Sequence, residues 1–219
     1  MASLRSRRAL AVLIAVFLFM MFARLNSGNA REYWLYFTTD RKPATLDLLL
    51  LSEDWTENRL SAEFPGFPIG CYPYQGPLRV QRACGVDVHS ANDVPTLYMS
   101  FFFADGRLSE VSINVPWWSH KKAYRYLMTT LGEPMASQRR WHAGVRLHGW
   151  KLLGGAGVFL NRDRPLNPLQ WNAIYWRSAS ACKRDGCFIE RGSAGRVSRA
   201  ATEHPSEAIA LAWQRLTTY

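Results

Sequence analysis

The chain opens with an unbroken apolar run and continues as short apolar patterns cut by turn residues. Residues 9–23 are apolar without interruption, closed by Arg24 and preceded by Arg5, Arg7 and Arg8. Residues 33–38 are aromatic and short, which predicts a strand or the exit from an anchoring segment. Residues 45–51 are a second apolar stretch. From Ser52 the pattern predicts a helix to about Glu63, with Ser52 as its cap and Glu53 and Asp54 at its positive end. Leu60 and Phe64, four residues apart, mark its inner face, and Pro65 and Pro68 end it.

The sharpest alternation lies in the middle of the chain. Leu97, Met99, Phe101 and Phe103 share one face, with Tyr98, Ser100 and Phe102 opposite. Asp105-Gly106 turns the chain, and Val111, Ile113 and Val115 alternate with Ser112 and Asn114. A helix over 119–131 follows, with Ala123, Leu127 and Leu131 in register and Gly132 and Pro134 closing it. Residues 138–150, 158–161 and 170–178 read as further strands, and a hairpin around 182–187 with residues 188–191 adds an edge. This order predicts an α+β fold: an antiparallel sheet of about five to six strands, helices packed on one face, behind an N-terminal hydrophobic signal or anchor segment. Residues 1–30 form that segment and 31–191 a single domain. Residues 192–219 are a Ser-, Arg- and Gly-rich stretch expected to be mobile, then a helix with Ile209, Ala212, Trp213 and Leu216 on one side.

A positive flank, an apolar stretch and the small polar segment 26–30 is the order of a secretory signal, with Gly28 and Ala30 fitting the positions before a cut after Ala30. The 15 apolar residues span about 22 Å, short of the ~30 Å hydrocarbon core. Against cleavage, Leu, Ile, Phe and Met dominate the run, and Leu25 extends it past a snorkelling Arg24. Two readings stand: a cleaved signal, and an inner-membrane anchor over residues 9–25. Both carry the rest of the chain across a membrane, into a periplasmic setting.

The cysteines fit that setting. Cys71, Cys84, Cys182 and Cys187 are an even set in an exported chain, which predicts two disulfides. The turn-like Asp185-Gly186 pairs Cys182 with Cys187 across a hairpin, leaving Cys71 with Cys84. Zinc knuckles use shorter ligand spacings than the 12 residues between Cys71 and Cys84, so no metal or other cofactor is assigned.

Charge divides along the chain. Residues 31–110 hold 7 basic and 11 acidic side chains, whereas residues 111–219 hold 16 and 6. Arg139, Arg140, Arg146 and Lys151, with His142 and His148, form a basic stripe along the 138–150 strand. Such a stripe suits an anionic partner. In an envelope that means an acidic protein or an anionic polymer; nucleic acid is excluded for an exported chain.

Catalytic patterns are thin. Ser119-His120-Lys121-Lys122 has the S-x-x-K spacing of penicillin-recognising enzymes, but the S-D-N and K-T-G elements that complete those sites do not occur, and Ser119 reads as a helix cap. Residues 153–157 are Gly-rich but lead into a strand, where a phosphate loop leads into a helix. No residue is assigned a catalytic role.

The run 98–134, a hairpin with an F-x-x-D-G-R-L turn and a helix ending L-G-E-P, resembles uncharacterised exported bacterial proteins. Its helix-then-meander order is similar to small periplasmic modules of the β-lactamase-inhibitor and outer-membrane-assembly lipoprotein type, though without a lipidated Cys. The resemblance implies a binding module without catalytic residues. The expectation is thus a non-catalytic envelope interaction protein. The alternatives are a hydrolase or other enzyme acting on envelope polymers through His142, Arg146, His148 or Ser119, and a self-assembling structural component.

Overall fold

A computed structural model describes residues 26–188, apart from Pro77, residues 142–144 and the side chains of 136–141 and 145, together with scattered positions of the N-terminal run. His142, the side chains of Arg139 and Arg140, and the expected helix at 205–216 lie outside the described residues.

In chain order the elements are α1 (Ser27–Thr38), β1 (Pro43–Ala44), α2 (Glu57–Glu63), β2 (Ile69–Pro73), β3 (Arg82–Asp87), β4 (Ser90–Ala91), β5 (Val94–Pro95), β6 (Tyr98–Ala104) and β7 (Arg107–Val115). They continue with α3 (His120–Leu131), β8 (Ala136–Trp141), β9 (Val145–Lys151), β10 (Gly157–Asn161), β11 (Asn172–Arg177) and α4 (Ala179–Asp185). The fold is α+β around a large antiparallel sheet. That sheet has eight strands rather than five or six, in the order β2-β3-β6-β7-β11-β10-β9-β8.

The β6–β7 hairpin is its centre. Asp105 and Gly106 both take positive φ, 51° and 74°, the backbone of a tight turn whose twist matches the flanking strands. Alternation puts Met99, Phe101, Phe103, Val111, Ile113 and Val115 into the main core. The neighbouring strands add Cys84, Val86, Trp150, Val158, Leu160, Ile174 and Trp176 to it. Leu60 from α2 and Phe64 just after it, Ala123 and Leu127 from α3, and the irregular segment bearing Leu46, Leu48, Leu51 and Trp55 cover this face. Asn92 ties that segment to α3. Its side chain accepts from Leu46 N–H at 2.9 Å and donates to Leu46 C=O and Tyr126 Oη, each at 2.7 Å.

Helices lie on both faces, not one. On the far face α1 seats Tyr33 and Tyr36 beside Leu97 and Tyr98. There too α4 packs Cys182 on Leu147 and Phe159. Of the two readings of residues 33–38 the strand is overturned, because they are helical: Tyr33 and Tyr36, one turn apart, point inward together, which a strand would not allow for an odd spacing.

Three local expectations change. Thr56, not Ser52, caps α2, accepting from Arg59 N–H at 3.3 Å. Ser119 does not cap α3; a 3₁₀ turn over Trp117–Ser119 precedes the helix, and the Ser119 hydroxyl is buried without a hydrogen-bond partner. Both predicted disulfides form, but Cys182 sits in α4 and Cys187 follows its left-handed Gly186, so this bridge closes a helix end and not a hairpin. Cys71 and Cys84 face each other directly across β2 and β3.

Candidate functional site

The two edges of the sheet differ in how open they are. At β2 the edge carries Pro73, which offers no N–H, and the Cys71–Cys84 bridge fastens the strand to its neighbour. At the other end, among the described residues β8 pairs with β9 alone, and its register slips between Ala136 and Arg139. An unpaired strand edge of this kind presents N–H and C=O groups to an incoming extended segment.

Next to that open edge lies a cleft of about 310 Å³ lined by Leu49, Thr130, Leu131, Glu133, Met135, Trp150, Lys151, Leu152 and Leu153. Its rim is unusually apolar: Leu49, Met135 and Leu153 are 57%, 73% and 102% exposed. Gly132, with φ 78°, ends α3 and swings the chain onto this rim. The Trp150 indole donates to Gly132 C=O at 2.7 Å, so the wall under the cleft is held in place. Lys151 and Glu133 set opposite charges beside these apolar walls.

The described members of the predicted basic stripe do not share one face. Arg146 and His148 alternate with Leu147, and Lys151 has the parity of Leu147. Arg146 and Lys151 are exposed, whereas the His148 ring is half-buried against Tyr124 at 4.8 Å. Burial, then the nearby Arg162 and His120, pulls the His148 pKa below that of a free histidine. His120 itself bonds Asn161 C=O through Nε2 at 2.7 Å. The proximity of His120 and His148 comes from α3 lying over β9 and β10 and has no signal in the sequence.

A second polar region crosses the far face. Ser100, Ser112 and Tyr175 lie in one row across β6, β7 and β11. Beside them Arg177 pairs with Glu110 at 3.0 Å and with Asp185. Burial pushes the hydroxyls of Tyr175 and Tyr74 up to about 12, and that of Tyr98 well up. These groups hold their protons at neutral pH.

The Gly-rich segment before β10 has a packing reason. Gly154 and Gly155 take φ 83° and 94° in a turn between paired strands, and a Cβ at Gly157 would stand 2.7 Å from the Phe159 ring. Among the described residues, the one cluster with metal-ligand spacing is Glu57 with Cys71 and Cys84, whose sulfurs are joined to each other. Among the described residues, too, no helix is long and apolar enough to cross a membrane. Comparison of the chain with family models, with curated proteins and with solved structures finds no match in any of the three.

Proposed function

We propose that this chain is an exported interaction module, held at the inner membrane by residues 9–25, that binds an acidic segment of another envelope protein. The observation that carries the reading is the open β8 edge beside the exposed apolar cleft of Leu49, Met135 and Leu153. Edge pairing gives main-chain affinity, the cleft takes side chains, and Arg146 and Lys151 favour an anionic partner. Two disulfides support an oxidising compartment. Retention of the anchor is supported by Asn26, whose Oδ1 accepts from Asn167 Nδ2 at 2.7 Å, and by α1 running through the position of a cut after Ala30. Both features tie residues before the cut into the domain.

The test is in-cell cross-linking of the tagged full chain with mass spectrometry, alongside a variant carrying Arg139, Arg140, Arg146 and Lys151 changed to Glu. A defined envelope protein recovered with the native chain and lost with the variant is the expected result. Recovery of the chain alone in both samples overturns the reading. So does turnover of an envelope polymer that one polar substitution abolishes.

A further inference from the structure

We propose that Trp34 and Phe37 of α1, with Trp118 of the turn before α3, lie in the headgroup layer of a phospholipid bilayer and seat the domain on the membrane surface. The proposal rests on residues 9–25 being a retained anchor.

Phe37 and Trp118 form one patch, Trp34 stands about one turn back on the solvent side of α1, and all three rings are exposed. Trp34 and Phe37 are each 69% exposed and Trp118 is 46% exposed. Phe37 stacks on Trp118 at 5.7 Å, and Trp118 reaches back to Tyr33 at 5.4 Å. Helical spacing explains the division of α1: Tyr33 and Tyr36 turn inward, while Trp34 and Phe37, three apart, turn to solvent. The inward pair fixes the outward one. Tyr33 Oη accepts from Trp117 N–H at 3.1 Å, Tyr36 Oη donates to His89 C=O at 3.1 Å, and the Tyr36 ring lies flat on His89 at 5.1 Å. Three large rings are thus held rigidly in water, with their hydrophobic surface unspent.

Position along the chain selects the occupant. The apolar run closes at Arg24 and α1 begins at Ser27, so the helix that bears Trp34 and Phe37 starts within a turn of the bilayer edge. The headgroup layer is about 5–8 Å thick on each side. An α1 standing along the membrane normal would lift Trp34 roughly 10 Å beyond its own start and out of that layer. Asn26, at φ −109° and ψ 9°, leaves helical geometry and gives the axis a place to turn. An α1 lying along the surface keeps both its outward rings at the depth where Trp residues concentrate in membrane proteins. Exposed Arg31, Lys121 and Lys122 stand near these rings in sequence and complement anionic headgroups.

The experiment reconstitutes the full chain into phosphatidylcholine–phosphatidylglycerol vesicles whose acyl chains are brominated near the headgroup, and follows Trp fluorescence. The variant Trp34→Phe/Trp118→Phe keeps aromatic packing and removes the two reporters. Brominated lipid is expected to quench the native chain, and the variant to lose about half or more of that quenching. Equal quenching in both overturns the proposal, as does an unquenched native chain that sediments as a dimer, since a second copy would then cover the patch. Flotation separates the two levels. A chain that does not float with vesicles removes the anchor and the proposal together, whereas a floating chain with no quenching difference removes the docking alone.

Discussion

At Arg177 three charges meet inside the protein. Its guanidinium lies 3.0 Å from the Glu110 carboxylate on β7 and hydrogen-bonds Asp185 at the end of α4. The two acids respond in opposite senses. Burial pushes Glu110 above the ordinary carboxylate range, and Arg177 only partly offsets it. Burial also presses Asp185 upward, but Arg177 outweighs it there and the group falls below its ordinary value. Replacing Arg177 by Met leaves both acids uncompensated, and a loss of about 3–5 kcal/mol is expected from urea unfolding at neutral pH. Because Glu110 binds a proton more readily folded than unfolded, the deficit should shrink as pH falls toward the unfolded-state value of 4.5. A loss that stays constant with pH would refute this account. His148 works in the reverse sense. Its folded pKa is depressed below 6.5, so the unfolded chain protonates first and stability is lost as pH falls from 6.5 toward the folded value. His148→Phe keeps the ring beside Tyr124, and its Tm should fall less than that of the native chain between about pH 7.5 and 5.5.

Elements with a regular apolar pattern and turn chemistry at their ends were the most legible in the sequence, and the strands expected at 158–161 and 170–178 also form, as β10 and β11. The β6–β7 hairpin and α3 combine regular periodicity with Asp105-Gly106 and Gly132, and both appear where expected. β2 and β3 had no such signal. Gly70, Cys71 and Pro73 break the alternation of β2, and their place in the sheet depends on partners distant in sequence. The strand reading of residues 33–38 failed for another reason: their aromatic residues carry β-propensity, and only docking against Leu97 and Tyr98 reveals the helix. Of the candidate site, the basic residues of 146–151 were visible as sequence, but the cleft was not, because Leu49, Met135 and Leu153 come from three separate connections. The Cys71–Cys84 bridge tests how far β2 belongs to the sheet. It closes a loop with a sequence separation of 13, so Cys71→Ala/Cys84→Ala should cost ~3 kcal/mol in urea unfolding. Cys182→Ala/Cys187→Ala closes a separation of only 5 and should cost less.

On the scale of the molecule, the sheet order turns a division of charge along the chain into a division in space. Strands β2, β3, β6 and β7 come from residues 69–115, which hold 3 basic and 4 acidic side chains, and β11, β10, β9 and β8 from residues 136–177, which hold 7 and 1, so one half of the sheet is nearly neutral and the other basic. The open β8 edge stands at the basic end and the tied β2 edge at the nearly neutral end. Under the proposed function, this uneven charge would draw an acidic partner over about a Debye length and orient it toward β8 before contact. The expected consequence is salt dependence with a defined location. Binding of a fluorescent polyglutamate probe to the full chain, read by anisotropy, should weaken by about tenfold or more as the Debye length falls from ~10 Å to ~3 Å. Arg146→Glu/Lys151→Glu should remove most of that binding, whereas reversing Lys183 and Arg184 on α4 should leave the greater part of it. If both variants lose the probe equally, net charge alone draws it and the β8 edge has no special role. If only the first does, the sheet's own order of strands sets where a partner lands.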